Sequence, residues 1–197
     1  MPGRPAEPKL HLRTAREWHQ WLKKNHEQPT GVLLLIAKKN SGGEAPTMFE
    51  ALDACLCWGW IDSVKYAHDD QYYAQRYSRR KPTSPGSVIN QKRVEQLLIE
   101  GLIQPPGMKE IEKAKANGSW ARAYGSSKNS TVPPDLQKAL DAAPRAKAFF
   151  EKLNSNNRYA ILFRLQIART EKTRLARLEK FMAMLKARQT MYPQKGL

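Results

Sequence analysis

The chain has 197 residues, and 41% of them are hydrophobic, which suits either a single domain or a domain with a helical appendage. Its 34 Lys and Arg residues against 18 Asp and Glu residues give a formal net charge of +16, which favours anionic partners such as nucleic acid, anionic lipid or phosphorylated small molecules. No apolar run reaches the length of a membrane-spanning helix, and the first residues show no apolar secretory segment, so a cytoplasmic protein is expected.

The N-terminal part of the chain predicts a helix, a strand and a second helix in that order. Residues 1–10 contain three prolines and are expected to form a loose arm. A capping box at 14–17 starts the first helix, and the continuous apolar run 31–37 predicts a strand that is buried on both faces. A second capping box at 47–50 starts the next helix, for which Gly59 is a suitable C-terminal residue.

Two aromatic and β-branched segments, 60–66 and 71–78, are separated by a polar turn and predict a hairpin. With the preceding strand and helix they indicate a compact βαβ unit of right-handed crossover, to which the hairpin adds an antiparallel third strand. From Ser84 onward the apolar residues recur at helical spacing, and glycines, prolines and polar residues separate the helices.

The predicted fold class is therefore α+β. Residues 11–125 are expected to form a domain with a small three-stranded mixed sheet and flanking helices. The polar, proline-ended stretch 126–134 is predicted to be a linker, and residues 135–190 are predicted to form a C-terminal helical bundle.

No established catalytic, metal or cofactor pattern occurs in the sequence. The four histidines form no H-x-x-x-H pair, and Cys55 and Cys57 match neither C-x-x-C nor a zinc pattern. Walker, G-x-G-x-x-G and G-x-S-x-G loops do not occur either. We therefore expect reduced, packed cysteines, no metal and no cofactor, and the sequence leaves open whether the protein is an enzyme.

The most distinctive segment runs from Trp58 to Asn90. No acidic residue lies between Gln71 and Val94, and arginines and tyrosines alternate there in a way that suits phosphate binding and base stacking. A serine-rich turn then leads to a helix start near Ser87, which attracts anions. This pattern predicts an anion pocket, and a solvated basic hairpin edge that prevents aggregation explains it equally well.

Asp62 is the lone carboxylate of the tryptophan-rich part. Strand alternation predicts that Trp60, Asp62, Val64 and Tyr66 share one side, close to the hairpin arginines, while Trp58 packs in the core. Asp62 is then either a general base, a group that orients an arginine, or one half of a structural salt bridge. The predicted ligand-binding residues are Trp60, Asp62, Gln75, Arg76, Arg79, Arg80, Ser84, Ser87 and Asn90.

Four segments of the chain occur in a characteristic order: "ALDACLCWGWIDS", "QRYSRRKPTS", "RVEQLLIEGLIQPPGMKEIEKAKANGSW" and "LNSNNRYAIL". They resemble the bacteriocin-protection family, also described as YdeI-like or OmpD-associated proteins, over residues 10–188. Gly86 stands where that family commonly has a tryptophan, so a pocket covered by that tryptophan is more open here. The resemblance implies tolerance of bacteriocins and cationic antimicrobial peptides, and it implies no reaction.

The sequence thus predicts a cytoplasmic bacterial stress- or envelope-resistance protein that binds an anionic ligand, either a small molecule or a partner protein. One alternative is a nucleic-acid-binding module that uses the basic hairpin and the last helix, with an affinity that falls steeply with salt. Another alternative is an enzyme on a phosphorylated or carboxylated metabolite with Asp62 as base. The sequence does not indicate an oligomeric state.

Overall fold

The structure, a computed structural model, describes residues 7–81, 84, 86–125 and 130–197. The chain divides into two compact units. The first unit comprises Met1–Ser84 and Asn90–Ala121, and the second comprises Pro85–Ile89 and Arg122–Leu197. No helix among the described residues is both long and apolar enough to cross a membrane.

The first unit contains a mixed sheet of four strands, in the order β1-β2-β4-β3. β1 is parallel to β2, and the other neighbouring strands are antiparallel. The strands are β1 (Lys9–Leu10), β2 (Val32–Ala37), β3 (Trp60–Ala67) and β4 (Tyr72–Arg79). The helices that belong wholly or mostly to this unit are α1 (Ala15–Asn25), α2 (Met48–Cys57), α3 (Val88–Ile99) and α4 (Pro105–Ala116).

The α+β class and the mixed sheet are confirmed, but the predicted count of three strands is corrected to four. The additional strand β1 lies in the segment predicted to be a loose arm, of which residues 1–6 lie outside the described residues. β4 lies between β2 and β3, so the predicted βαβ unit is split by the second hairpin strand. The reason is burial: β4 is buried along most of its length and takes the central position, whereas β3 is exposed after its first residues and forms an edge.

One face of the sheet carries the main core of the first unit. Both predicted capping residues, Thr14 and Thr47, accept a hydrogen bond from the backbone N–H three residues later, which starts α1 and α2 where the sequence indicates. These two helices pack their apolar sides on the sheet, where Trp18, Trp60 and Tyr77 are almost completely buried. The large aromatic side chains therefore hold α1, α2 and the hairpin together.

α4 packs closely against the end of α2. The backbone N–H of Gln104 donates to the Cys57 carbonyl oxygen at 3.0 Å, and Gly107 approaches the same carbonyl so closely that a Cβ atom there would collide with it. Gly59 has a φ of +76°, which lets the chain turn sharply from α2 into β3 beneath α4. These contacts place one side of α4 beside the end of β4, where the candidate site lies.

The second unit is helical in its described part. Its helices are α5 (Pro134–Asp141), α6 (Pro144–Lys152), α7 (Ser155–Gln166) and α8 (Glu171–Lys186), and they share one apolar core. Asn154 caps α7, as its position before the apolar run predicts. Asn157 is fully buried and holds the C-terminal segment by bonding the backbone of Tyr192 in both directions. The linker predicted at 126–134 includes residues 126–129, which lie outside the described residues, so the domain boundaries stay a prediction.

Candidate functional site

Three of the predicted ligand-binding residues line one cavity in the first unit. This cavity, here called the cationic cavity, has a volume of about 270 Å³. Its walls are formed by Pro29, Arg76, Ser78, Arg79, Arg80, Lys81, Glu110 and Lys113. The structure thus brings together the hairpin arginines and one side of α4, while Trp60, Asp62, Gln75 and Asn90 do not line this cavity.

The charge of the cationic cavity is strongly positive. Five of its lining residues are Arg or Lys, and the only carboxylate among them is that of Glu110, which accepts a hydrogen bond from Lys113 at 2.7 Å. Arg79 is exposed and is oriented by one hydrogen bond to the carbonyl oxygen of Glu27, at 3.3 Å. Lys81 is exposed as well. A compact group of cations of this kind is suited to an anion.

Arg76 lies in the wall of the cavity, but its guanidinium is bound by the protein itself. It donates to both carboxylate oxygens of Glu7, at 2.6–3.0 Å, and to the hydroxyl groups of Ser63 and Ser78. Only 13% of the Arg76 side chain and 11% of the Glu7 side chain are exposed. Arg76 therefore anchors the N-terminal segment, and its charge is largely balanced by Glu7.

Asp62 lies on the other face of the sheet from Arg76. Asp62 is paired with Tyr77 in the ladder, and side chains alternate along a strand, so the neighbouring Arg76 points to the opposite face. A β-bulge between Asp62 and Lys65 then shifts the register, which places Tyr66 opposite Ala74. The predicted common side for Asp62 and Tyr66 is therefore corrected, and Asp62 does not orient Arg76.

The surroundings of Asp62 are polar and partly buried. Burial raises the pKa of Asp62, and the hydrogen bond from Asn90 and the charge of Lys65 act in the opposite direction. Gln75 is fully buried, and its amide nitrogen donates to the Ser63 carbonyl oxygen within the bulge. The side-chain oxygen atoms of Gln75 and Tyr77 are buried and have no hydrogen-bond partner among the described residues.

Because the pKa of Asp62 is raised, its contribution to the free energy of unfolding is expected to depend on pH. Because the folded protein holds this proton more tightly than the unfolded chain, Asp62 favours folding below its ordinary pKa, and this contribution is lost as the pH rises through the raised value. Asp62→Asn is thus expected to match the wild type in free energy of unfolding at acidic pH and to exceed it at pH 7. Urea unfolding at a series of pH values measures this, and a variant less stable than the wild type at pH 7 would contradict it.

The two remaining predicted residues lie near the start of α3. Ser84 is half-buried, and its backbone N–H closes a turn on the carbonyl oxygen of Lys81. Ser87 belongs to the second unit, where it precedes the first residue of α3 and forms an isolated bridge with Tyr124. Their predicted contact with a ligand stays a prediction.

A second cavity in the first unit contains a tryptophan that sequence patterns assign to the core. This indole cavity has a volume of about 250 Å³ and is lined by His26, Glu27, Trp58, Gly59, Arg79, Pro105, Pro106, Lys109, Glu110 and Lys113. Trp58 is partly exposed there, whereas Trp60 is only 1% exposed. Trp58 also packs against the core, as predicted, and the ligand contact predicted for Trp60 stays a prediction.

The ring of Trp58 is held in one orientation. Its Nε1–H donates to Nδ1 of His19 at 3.3 Å, and its ring centroid lies 5.3 Å from that of His26. Burial lowers the pKa of His19, which favours the neutral imidazole whose Nδ1 can accept this hydrogen bond. Trp58 thus forms a fixed aromatic wall in the indole cavity.

Sequence reasoning did not identify the contribution of α4 to these cavities. Lys109 and Lys113 are four residues apart, so they lie on the same side of the helix, together with Glu110 at the cavity border. The spacing of the two lysines is visible in the sequence, but only the packing of Gly107 against α2 brings them beside the hairpin. No group of three or more His, Cys, Asp or Glu residues suited to a metal ion is found in the described part of the chain.

Comparison with protein-family models gives two matches that together cover most of the chain. Residues 10–110, just over half of the chain, match the family described as a domain of unknown function, DUF8412. The chain belongs to the DUF8412 family. Most residues that line the two cavities lie within this DUF8412 segment, and Lys113 lies just beyond it.

Residues 129–188 match the family described as "Bacteriocin-protection, YdeI or OmpD-Associated". The family resemblance predicted over residues 10–188 is confirmed for residues 129–188, whereas residues 10–110 match the DUF8412 model. This second match follows the DUF8412 segment and covers the helices of the second unit. Comparison with curated proteins and comparison with solved structures gave no significant match.

Proposed function

We propose that the protein contributes to bacteriocin protection in the bacterial cytoplasm by binding an anionic ligand in the cationic cavity. The observation that carries this proposal is the composition of the cavity wall. Five cationic side chains line it, and the cavity wall itself contains one carboxylate, that of Glu110, which is bound to Lys113. Three of the five cationic residues, Arg79, Arg80 and Lys81, follow one another at the end of the hairpin.

The net charge of the whole chain also favours an anionic ligand over a cationic peptide. Bacteriocins and antimicrobial peptides that carry positive charge are repelled by a protein with a net charge of +16, so direct capture of such peptides is disfavoured. An anionic small molecule or an acidic surface of a partner protein is attracted instead. A cavity of about 270 Å³ is of a size to take a small anionic group such as a phosphate or carboxylate with part of its carrier.

The experiment compares thermal unfolding of the full chain with and without inorganic phosphate. We expect phosphate to raise the melting temperature of the wild type, because a ligand that binds only the folded state stabilises it. The double variant Arg79→Ala/Lys81→Ala is expected to bind phosphate at least tenfold more weakly, since hydrogen bonds to charged groups contribute about 1.5–3 kcal/mol each and 1.4 kcal/mol is tenfold.

A matched control removes two positive charges elsewhere in the first unit. Arg16 and Lys39 are exposed and line neither cavity, so Arg16→Ala/Lys39→Ala is expected to keep the full phosphate effect. If the cavity variant and the control lose the phosphate effect equally, binding reflects net charge rather than the cationic cavity, and the proposal is wrong.

The two alternative functions find less support. In α8, Arg174 is paired with Asp135 at 2.6 Å and Arg177 donates to the carbonyl oxygen of Arg164, so these two side chains are already engaged within the protein. An enzyme with Asp62 as base would need its anion site beside that carboxylate, but Asp62 does not line the cationic cavity. Binding therefore accounts for the geometry of the hairpin better than catalysis does.

A further inference from the structure

The cationic cavity and the indole cavity are neighbours beside the hairpin and α4, and they share part of their walls; the two together are here called the groove. Three residues line both of them: Arg79, Glu110 and Lys113. The two volumes, about 270 Å³ and about 250 Å³, therefore adjoin along this shared wall. A ligand larger than a simple anion can occupy both parts at once, with its charged group in one and its remainder in the other.

The two parts of the groove differ in chemistry. Both cavities offer guanidinium and ammonium donors, but only the indole cavity adds an aromatic wall, formed by Trp58 beside the rings of Pro105 and Pro106. The Trp58 ring is fixed by its hydrogen bond to His19, so it loses little conformational entropy when a planar group packs on it. Such a wall favours a flat, weakly polar ring over a flexible chain.

The charged residues of the shared wall further limit the chemical class of the ligand. Arg79 and Lys113 stand between the two parts, and the carboxylate of Glu110 is engaged by Lys113. An arginine at this position can bind a phosphate oxygen and also stack on an aromatic ring. The ligand that satisfies the whole groove is one that carries a phosphate and a planar ring within a single small molecule.

We propose that the groove binds a nucleoside phosphate, with its phosphate in the cationic cavity and its base on Trp58. This inference rests on the proposed anion-binding function and adds the chemical class of the anion. Stacking on an aromatic side chain depends little on which base is present. The groove is therefore expected to require a base in its ligand but not to select one particular base. The same chemistry occurs in a free nucleotide and in single-stranded nucleic acid, and the limited volume of the groove favours the free nucleotide.

The experiment measures binding of three probes to the full chain by calorimetry at constant ionic strength. The probes are inorganic phosphate, ribose 5-phosphate and adenosine monophosphate, of which only the last carries a base. We expect adenosine monophosphate to bind about tenfold or more tightly than ribose 5-phosphate, and Trp58→Leu to remove this difference while leaving the affinity for ribose 5-phosphate unchanged. The control variant Trp120→Leu changes a tryptophan of the same unit that lines neither cavity, and it is expected to keep the difference.

The outcomes separate this inference from the function on which it rests. Equal affinities of the wild type for adenosine monophosphate and ribose 5-phosphate would overturn the nucleoside phosphate while leaving anion binding intact, and this comparison needs no variant. If none of the three probes binds, both proposals are wrong. A ten-residue single-stranded oligonucleotide that binds more tightly than the mononucleotide, and loses that affinity in Trp58→Leu, would overturn the free nucleotide in favour of nucleic acid.

Discussion

Replacing Trp60 with alanine is expected to lower the free energy of unfolding by about 3–5 kcal/mol, the usual effect of removing a large buried aromatic side chain. The indole is 1% exposed and packs edge-on against Trp18 and Trp21, with ring centroids 6.5 Å and 5.8 Å apart. Its Nε1–H also donates to the carbonyl oxygen of His26 at 2.9 Å, which alanine leaves without that donor. Urea unfolding followed by far-UV circular dichroism measures the loss.

Trp58→Ala provides the comparison, because it removes the same side chain two residues away. Trp58 is partly exposed in the indole cavity, so less apolar surface returns to water on unfolding, and we expect a loss of about 1–2 kcal/mol. Since the same substitution is made at both positions, differences in helix or strand propensity are small beside the difference in burial. Equal losses at the two positions would show that both tryptophans belong to the core.

The partial exposure of Trp58, compared with the burial of Trp60, has a local cause. Strand alternation begins at Trp60, the first residue of β3, and says nothing about Trp58, which follows the last residue of α2. Between them Gly59 adopts a positive φ and reverses the direction of the chain. Where Trp58 points is therefore decided by the packing of α4 against α2, a contact between segments that lie almost fifty residues apart.

Features that depend on neighbouring residues were predictable from the sequence. The capping boxes at Thr14 and Thr47, the cap at Asn154 and the hairpin all follow from interactions across a few residues. The order of the strands was not predictable in the same way, because burial of β4 on both faces depends on what packs there. The short strand β1 has only two residues, too few for a periodic pattern, and it is positioned by long-range contacts.

The candidate site, too, combines features set by neighbouring residues with features set by long-range contacts. The acid-free, arginine-rich hairpin is a local property, and Arg76, Arg79 and Arg80 do line one cavity. Lys113 and Glu110 come from a helix more than thirty residues later in the chain, so only the tertiary structure reveals them. The bulge after Asp62 is likewise not encoded by alternation, and it alters which side chains of β3 share a face.

The ion pair between Arg76 and Glu7 links the stability of the protein to the charge of the cationic cavity. Both side chains are nearly buried, and removing one partner of a buried ion pair typically costs 3–5 kcal/mol, since the other charge is left uncompensated. Glu7→Gln is therefore expected to lower the free energy of unfolding by about 3 kcal/mol. Urea unfolding measures the loss, and a change below about 0.5 kcal/mol, typical of surface substitutions, would show that solvent screens the pair.

Glu7→Gln is expected to strengthen phosphate binding in the cationic cavity although it lowers stability. Without the Glu7 carboxylate, Arg76 contributes its full charge to the cavity wall, so phosphate is expected to bind more tightly to the folded Glu7→Gln variant than to the wild type. The double variant Glu7→Gln/Arg76→Met removes both charges, and it is expected to recover part of the lost stability and to lose the gain in phosphate affinity. Lower stability together with stronger anion binding is a combination that neither simple unfolding nor a purely structural role of Arg76 produces.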